Sequence, residues 1–189
     1  MEKTQRPLLT IHPILSAGGY FQSVTDLSRL GRSILNASLL SGKATREWLK
    51  PVTHTSSPFM SVGRPWEILR VEVPVAPSPP SNGTRFVDVY SKNGALGQYL
   101  GILGLSPDHD MGISILAAGP SAGLVFGALQ ALATTAWIQA GEHAAREQAL
   151  LRFAGNYTSH DNSSAEITVL PGEPGLFLTG LVSNGTDMF

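Results

Sequence analysis

Cysteine is absent from the 189 residues, and this absence excludes three kinds of chemistry at once. No disulfide can form, no thiolate can act as a nucleophile, and no zinc ion can be held by cysteine. The cellular compartment stays open, because large secreted domains also fold without disulfides. Charged residues are few as well, at 14%, whereas 42% of the residues are apolar, a balance typical of a folded protein.

Charge of either sign is neither abundant nor clustered. The formal net charge is −1 and the basic residues are scattered, so we expect no nucleic-acid partner. The five histidines never fall at the spacing of metal ligands. The run Asp108-His109-Asp110 stands between two predicted strands and is interpreted as a solvated turn rather than a cation site. We therefore expect neither a metal nor a cofactor.

Two features of the sequence disagree about localisation. The first ten residues lack the apolar core of a signal peptide, which predicts a cytoplasmic protein or one whose front is missing. Five of the six asparagines, however, open an Asn-x-Ser/Thr sequon, where chance would give about one. This excess favours a secreted, glycosylated ancestry over ordinary turn sequences. The glycosylation candidates are Asn36, Asn82, Asn156, Asn162 and Asn184.

Hydrophobic periodicity predicts an α+β fold. Two helices are expected near the start, one over 24–35 behind a Ser23–Asp26 capping box and one over 41–50. A long helix is predicted from 121 to about 153, and turn-rich strands follow it. The strands expected between these helices have short connections, which favour an antiparallel meander. They are 66–75, 85–92, 97–105 and 111–118.

The stretch 111–141 contains no charged residue, and at this length a membrane span is one interpretation. Gly119-Pro120-Ser121 interrupts the stretch, and Gln130 and Gln139 make it less apolar. A buried strand followed by a core-facing helix is therefore favoured, and we expect no membrane partner. The oligomeric state is left open.

The motif with the most chemical content is Tyr90-Ser-Lys-Asn-Gly-Ala-Leu-Gly-Gln-Tyr99. Lys92 at a strand end would present a positive charge toward a cleft, and Gly94 would let a substrate approach closely. The N–H of Ala95 would serve as an oxyanion donor if this strand has an open edge. The alternative is a hairpin with an Asn93-Gly94 turn and an exposed lysine, and the motif alone favours this alternative.

The order of elements and the run from Ser16 to Leu35, with its Ala-Gly-Gly, Ser, Asp-Leu and Ile-Leu positions, closely resemble class C β-lactamase-like and penicillin-binding-protein-like serine hydrolases, above all fungal ones. Phe153-Ala-Gly-Asn-Tyr157 resembles the entry to the C-terminal β domain that many of these proteins carry, and Ser183-Asn-Gly-Thr-Asp187 resembles a segment within it. The resemblance implies a partial β-lactamase/transpeptidase-like domain over 1–152, followed by the start of a C-terminal β unit over 153–189.

The resemblance further implies acyl transfer through a serine ester, on a small-molecule amide, lactam or ester. Lys92, Asn93 and Gly94 match the family's Lys-Thr-Gly-type triplet, and Ala95 would give the oxyanion N–H. Asn93 departs from the usual Thr or Ser, which weakens the case for binding a substrate carboxylate. A role beside a fungal secondary-metabolite pathway is expected by resemblance alone.

The family's nucleophile lies in a Ser-x-x-Lys motif, and no lysine of this sequence has a serine three residues before it. We therefore expect that the 189 residues are a truncated family member and that they have no hydrolytic activity by themselves. The alternative is a non-catalytic β-lactamase-like protein that acts in binding or as a scaffold.

Overall fold

The computed structural model describes residues 19–74 and 83–189. Its α-helices are α1 (Val24–Leu35), α2 (Gly42–Trp48) and α3 (Ala122–Phe153), and a 3₁₀-helix covers Pro107–His109. The strands are β1 (Thr53–His54), β2 (Met60–Val62), β3 (Glu67–Pro74), β4 (Thr84–Leu96), β5 (Tyr99–Ser106), β6 (Met111–Ala118), β7 (Gly155–Thr158), β8 (Ser164–Thr168), β9 (Phe177–Ser183) and β10 (Thr186–Asp187).

These strands form two antiparallel sheets. The first sheet is a six-stranded meander in the order β1-β2-β3-β4-β5-β6, and the second has the order β10-β9-β8-β7. Together with the three helices they confirm the predicted α+β class. Strands β1 and β2 lie before residue 66, where the sequence analysis predicted no strand. The domain boundary between 152 and 153 stays a prediction.

Helix α1 begins where the sequence predicted it, because its first turn is capped from both directions. The Ser23 hydroxyl accepts a hydrogen bond from the Asp26 N–H, and the Asp26 carboxylate accepts one from the Ser23 N–H. The helix then buries Leu27, Gly31 and Ile34, which recur at helical spacing. At Gly31 an added Cβ would lie 3.1 Å from a Leu105 methyl carbon, so glycine permits the close approach of α1 to the sheet.

The six-stranded sheet has a core on each face. Leu27 and Ile34 of α1 join Leu105 in one cluster, whereas Ile138 of α3 joins Val87 and Val89 in the other. Tyr90 packs against the first cluster. Because successive side chains of a strand point to opposite faces, helices α1 and α3 cover opposite faces of the sheet.

The β4–β5 connection differs from the prediction. The sequence placed a break at Asn93-Gly94, but β4 continues to Leu96, and Leu96 pairs with Tyr99 across the two-residue turn Gly97-Gln98. Gly97 has a φ of +59°, which glycine adopts readily at the first central position of such a turn. The resulting register brings Leu105 opposite Tyr90, where Leu105 is fully buried. Packing of distant residues has thus overridden a local turn signal.

Helix α3 was predicted to face the core, and it does so only in part. Phe126, Ile138 and Gly141 are buried, whereas Leu124 and Leu132 are 80% and 72% exposed. Within the described residues, α3 is also the one helix that is long and apolar enough to cross a membrane by length and composition.

Two glycines of α3 provide a matched test of this packing. An alanine Cβ at Gly141 would lie 2.8 Å from the buried ring of His109, so we expect Gly141→Ala to lower the free energy of unfolding by about 1–3 kcal/mol. At Gly127 no described residue outside the helix's own backbone comes within 4 Å of an added Cβ, so Gly127→Ala should raise the free energy of unfolding by about 0.5–1 kcal/mol, because alanine is the better helix former. Urea unfolding at pH 7 measures both; a change of the same sign in the two variants would contradict the described packing.

Candidate functional site

Strand β4 extends beyond the end of its neighbour β3 and so has an open edge. Glu67, the first residue of β3, pairs with Ser91, and residues 92–96 of β4 pair with β5 alone among the described strands. Leu96 and Tyr99 flank the tight turn as a hydrogen-bonded pair, and such pairs alternate along an antiparallel ladder. Asn93 and Ala95 therefore direct their backbone N–H and C=O groups away from β5. The N–H of Ala95 lies at an unpaired edge, as an oxyanion donor requires.

The two polar side chains of the motif converge on one carboxylate. Lys92 Nζ donates to Glu67 Oε1 at 2.5 Å, and Asn93 Nδ2 donates to Glu67 Oε2 at 2.7 Å. The Lys92 side chain is 48% exposed and that of Glu67 32%, so water screens this ion pair. We expect it to stabilise the fold by about 1 kcal/mol at most. Its main effect is to occupy the charge and the amide donor of the motif.

The described residues leave the space above this edge open. Apart from its two chain neighbours, no described residue has an atom within 4 Å of the position that a Cβ would take at Gly94, and Asn93, Gly94 and Ala95 are all exposed. A planar acyl group could therefore approach the backbone of β4 here. The structure thus brings the four predicted residues of the motif together along one edge, and their catalytic roles stay predictions.

An open cavity of about 460 Å³ lies next to α2, between it and the middle of β4. Arg70 of β3 and Asp88 of β4 line it and bind each other, with Nε–Oδ1 and Nη2–Oδ2 distances of 3.0 and 3.2 Å. Tyr90 also lines it, and burial, followed by the nearby Asp88 and Asp108 carboxylates, raises the pKa of its hydroxyl. Lys92, Asn93, Gly94 and Ala95 do not line this cavity, which reaches β4 no further than Tyr90, two positions before Lys92.

The interpretation of Asp108-His109-Asp110 as a solvated turn is wrong for His109, whose side chain is 1% exposed. His109 Nδ1 lies 2.7 Å from Ser106 Oγ, and its Nε2 lies 2.7 Å from Glu142 Oε1. Gly141 makes this possible, because a side chain there would clash with the imidazole ring. The sequence signal that was missed is the Gly-Glu pair at 141–142, where the first charge after a long uncharged stretch follows a glycine.

Ser106, His109 and Glu142 are the residue types of a hydrolytic triad, but a substrate cannot reach this serine. Ser106 is fully buried, so no substrate can reach its hydroxyl. Arg85 Nε donates to the same Glu142 oxygen at 2.6 Å, which ties β4, the end of β5 and α3 together. We therefore assign the network a structural role.

Charge within this network determines two pKa values. The hydrogen bond that Arg85 donates to Glu142 raises the pKa of the Arg85 guanidinium. Burial by itself would raise the pKa of the Glu142 carboxyl, but hydrogen bonds from Arg85 and His109 outweigh burial and hold that pKa below its usual value of 4.5.

The four sequon asparagines within the described residues are exposed: Asn36, Asn156, Asn162 and Asn184. Asn82 lies outside the described residues. Asn162 and Asn184 have φ values of +55° and +49°, which are turn conformations that asparagine tolerates. Exposure makes glycosylation sterically feasible, and glycosylation itself stays a prediction.

The structure defines an α+β protein. Helices cover both faces of its antiparallel sheet, and one strand has an open edge beside a lysine. Residues 145–189 match the family model described as "Beta-lactamase-like-like, C-terminal domain". A "Beta-lactamase-like protein" of Arthroderma benhamiae is 33% identical over 181 residues, which cover 90% of this chain and 29% of the relative. The "Probable hydrolase M10" of a Phoma species is 29% identical over 174 residues, covering 90% and 27%.

Among solved structures, the octameric penicillin-binding protein homologue from Pyrococcus abyssi has a TM-score of 0.44 and 18% identity over 88% of this chain and 42% of that one. The chain spans less than a third of the length of the two fungal relatives. Residues 145–189 match the model of the β-lactamase-like C-terminal domain, and the chain as a whole is similar to part of fungal β-lactamase-like proteins, which confirms the predicted resemblance.

The lowered pKa of Glu142 predicts how stability depends on pH. Since its folded-state pKa is lower than its unfolded-state pKa, ionised Glu142 stabilises the fold above about pH 4.5, and this stabilisation is lost as the pH falls through the folded-state pKa. We expect Glu142→Gln to lower the free energy of unfolding at pH 7 by about 1–3 kcal/mol and to flatten its acid dependence. Urea unfolding from pH 7 to pH 3 measures this. Glu147→Gln, an exposed site on the same helix, is the control, and an equal loss in both variants would contradict the assignment.

Proposed function

We propose that this chain provides one wall of the cleft of a serine hydrolase or acyl transferase that acts on a small-molecule amide, lactam or ester. The observation that carries the proposal is the edge of β4 beyond β3, where the N–H of Ala95 points away from β5 beside Lys92 and no described side chain fills the space above Gly94. The name of the Phoma relative, "Probable hydrolase M10", supports a hydrolytic reaction.

The proposed chemistry uses the edge at the step where charge develops. When a serine oxygen attacks a carbonyl carbon, the carbonyl oxygen becomes an oxyanion, and a fixed N–H aimed at that oxygen lowers the barrier. Ala95 would supply this N–H, and its strand is held by the β5 ladder, so little reorganisation is needed. Gly94 would allow the acyl group to lie against the strand, because a side chain there would fill the space.

In this proposal the nucleophile comes from outside the 189 residues. None of Lys3, Lys43, Lys50 and Lys92 follows a serine at the required spacing. The hydrogen-bonded Ser106 is inaccessible, since it is fully buried. The proposed catalytic unit therefore needs a Ser-x-x-Lys segment next to the β4 edge.

The 189 residues alone should not accelerate the hydrolysis of p-nitrophenyl acetate or of a chromogenic cephalosporin above the rate in buffer. The reason is that an oxyanion donor without a nucleophile forms no acyl-enzyme. Initial rates against a buffer blank measure this. Hydrolysis well above the blank that Lys92→Gln abolishes would contradict the external nucleophile. If intact mass shows that the native source makes a product of only this length, the non-catalytic binding or scaffold role becomes the better assignment.

The Ala95 donor can be tested in a longer protein that contains this sequence together with a Ser-x-x-Lys segment. The serine of that protein must react with an acylating probe. Ala95→Pro removes the N–H, and we expect kcat/KM to fall about 10²–10³-fold. Proline is tolerated on a strand edge where no ladder bond is lost. Ala95→Val keeps the N–H and should change kcat/KM by less than about threefold, since Ala95 is exposed. Equal activity of the two variants, with melting temperatures matched, would remove Ala95 from the proposed site.

A further inference from the structure

We infer that Glu67 determines the charge preference of the β4 edge, so that the site takes neutral amides or esters and disfavours ligands that carry a carboxylate. The inference rests on the proposed function and adds the class of substrate to it. Glu67 is thereby a specificity-determining residue that was not among the residues predicted from the sequence.

The positive charge of the edge is already neutralised within the chain. Lys92 Nζ and Asn93 Nδ2 each bind one oxygen of the Glu67 carboxylate, at 2.5 and 2.7 Å. The pair of Lys92 and Glu67 has no net charge, and the amide that could replace a threonine hydroxyl is engaged as well. An incoming carboxylate would therefore meet one negative charge for each positive charge, and it would have to displace Glu67 to reach both donors.

The backbone holds Glu67 in this place. It is the first residue of β3 and pairs with Ser91, directly before Lys92. The Ser91 hydroxyl donates to the Glu67 carbonyl oxygen at 3.0 Å, and the preceding Trp66 is buried at 2% exposure. Because both flanking contacts anchor the main chain of Glu67, the ion pair can open only by rotation of the Glu67 or the Lys92 side chain.

A second ion pair lies on the same face of β4 as Lys92. Asp88, two positions from Tyr90 on that face, accepts two hydrogen bonds from Arg70. Lys92 and Arg70 are thus each paired with a carboxylate of the sheet. A neutral carbonyl compound loses nothing in this environment, since it needs only the N–H of Ala95 and the space above Gly94.

The experiment compares two probes that share a ring and differ in charge, benzoate and benzamide. Each is titrated at pH 7 into the ¹⁵N-labelled 189-residue protein, and the amide signals of Asn93, Gly94 and Ala95 are followed. We expect the wild-type protein to bind benzamide at least as tightly as benzoate. Glu67→Gln should bind benzoate about tenfold more tightly than the wild type, because a charge-assisted hydrogen bond becomes available, and benzamide about equally. The gain should shrink at 1 M salt.

Two further variants separate this effect from a general change of charge. Glu72→Gln makes the same substitution on the same strand, at a residue that binds Thr84 at 2.6 Å and not Lys92, and it should leave both affinities unchanged. Adding Lys92→Gln to Glu67→Gln should abolish the gained benzoate affinity.

Each remaining outcome overturns a stated idea. If benzamide shifts the three amides but benzoate binds equally to wild type and Glu67→Gln, or if Glu72→Gln gives the same gain, then the role of Glu67 is wrong and the proposed function stands. If neither probe shifts these amides in any variant, the edge binds no acyl ligand, and the proposed function falls together with the inference.

Discussion

The register of β4 between β3 and β5 is the constraint on which the rest of the structure depends. Pairing of Ser91 with Glu67 on one side and of Tyr90 with Leu105 on the other sends Val87 and Val89 to the α3 face and Tyr90 to the α1 face. Since the side-chain period of a strand is two, a slip by one residue would exchange these faces and expose both cores. The same offset leaves residues 92–96 beyond the end of β3, so the open edge is a consequence of the core packing.

Two glutamates show how burial changes what an ion pair does. Glu142 is 11% exposed at its side chain and shares hydrogen bonds with Arg85 and with the buried His109, so loss of either partner would leave a charge poorly solvated. The more exposed Glu67 lies at a strand edge, where solvent screens its attraction to Lys92. The first therefore contributes mainly to stability, and the second mainly to the potential that a ligand meets.

The departure of Asn93 from the family's usual threonine or serine has a physical counterpart in the structure. Its amide reaches the Glu67 carboxylate and completes the neutralisation that Lys92 begins. The similarity to β-lactamase-like proteins concerns the whole chain, whereas the charge at this edge follows from Lys92, Asn93 and Glu67 together. In the proposed function, the backbone of this edge would stabilise the oxyanion and its side chains would select against charge.

The sequence by itself determined the local elements. The capping box of α1, the strand 111–118 and the span of α3 follow from contacts between near neighbours in the chain, which pattern and propensity report directly. The sequence also singled out Lys92, Asn93, Gly94 and Ala95 by their order. Only the tertiary structure decided that β4 turns at Gly97-Gln98, that His109 is buried and that Glu67 faces the motif. His109 and Glu142 are 33 positions apart and Lys92 and Glu67 are 25 apart, and such contacts depend on how strands and helices pack rather than on any local preference.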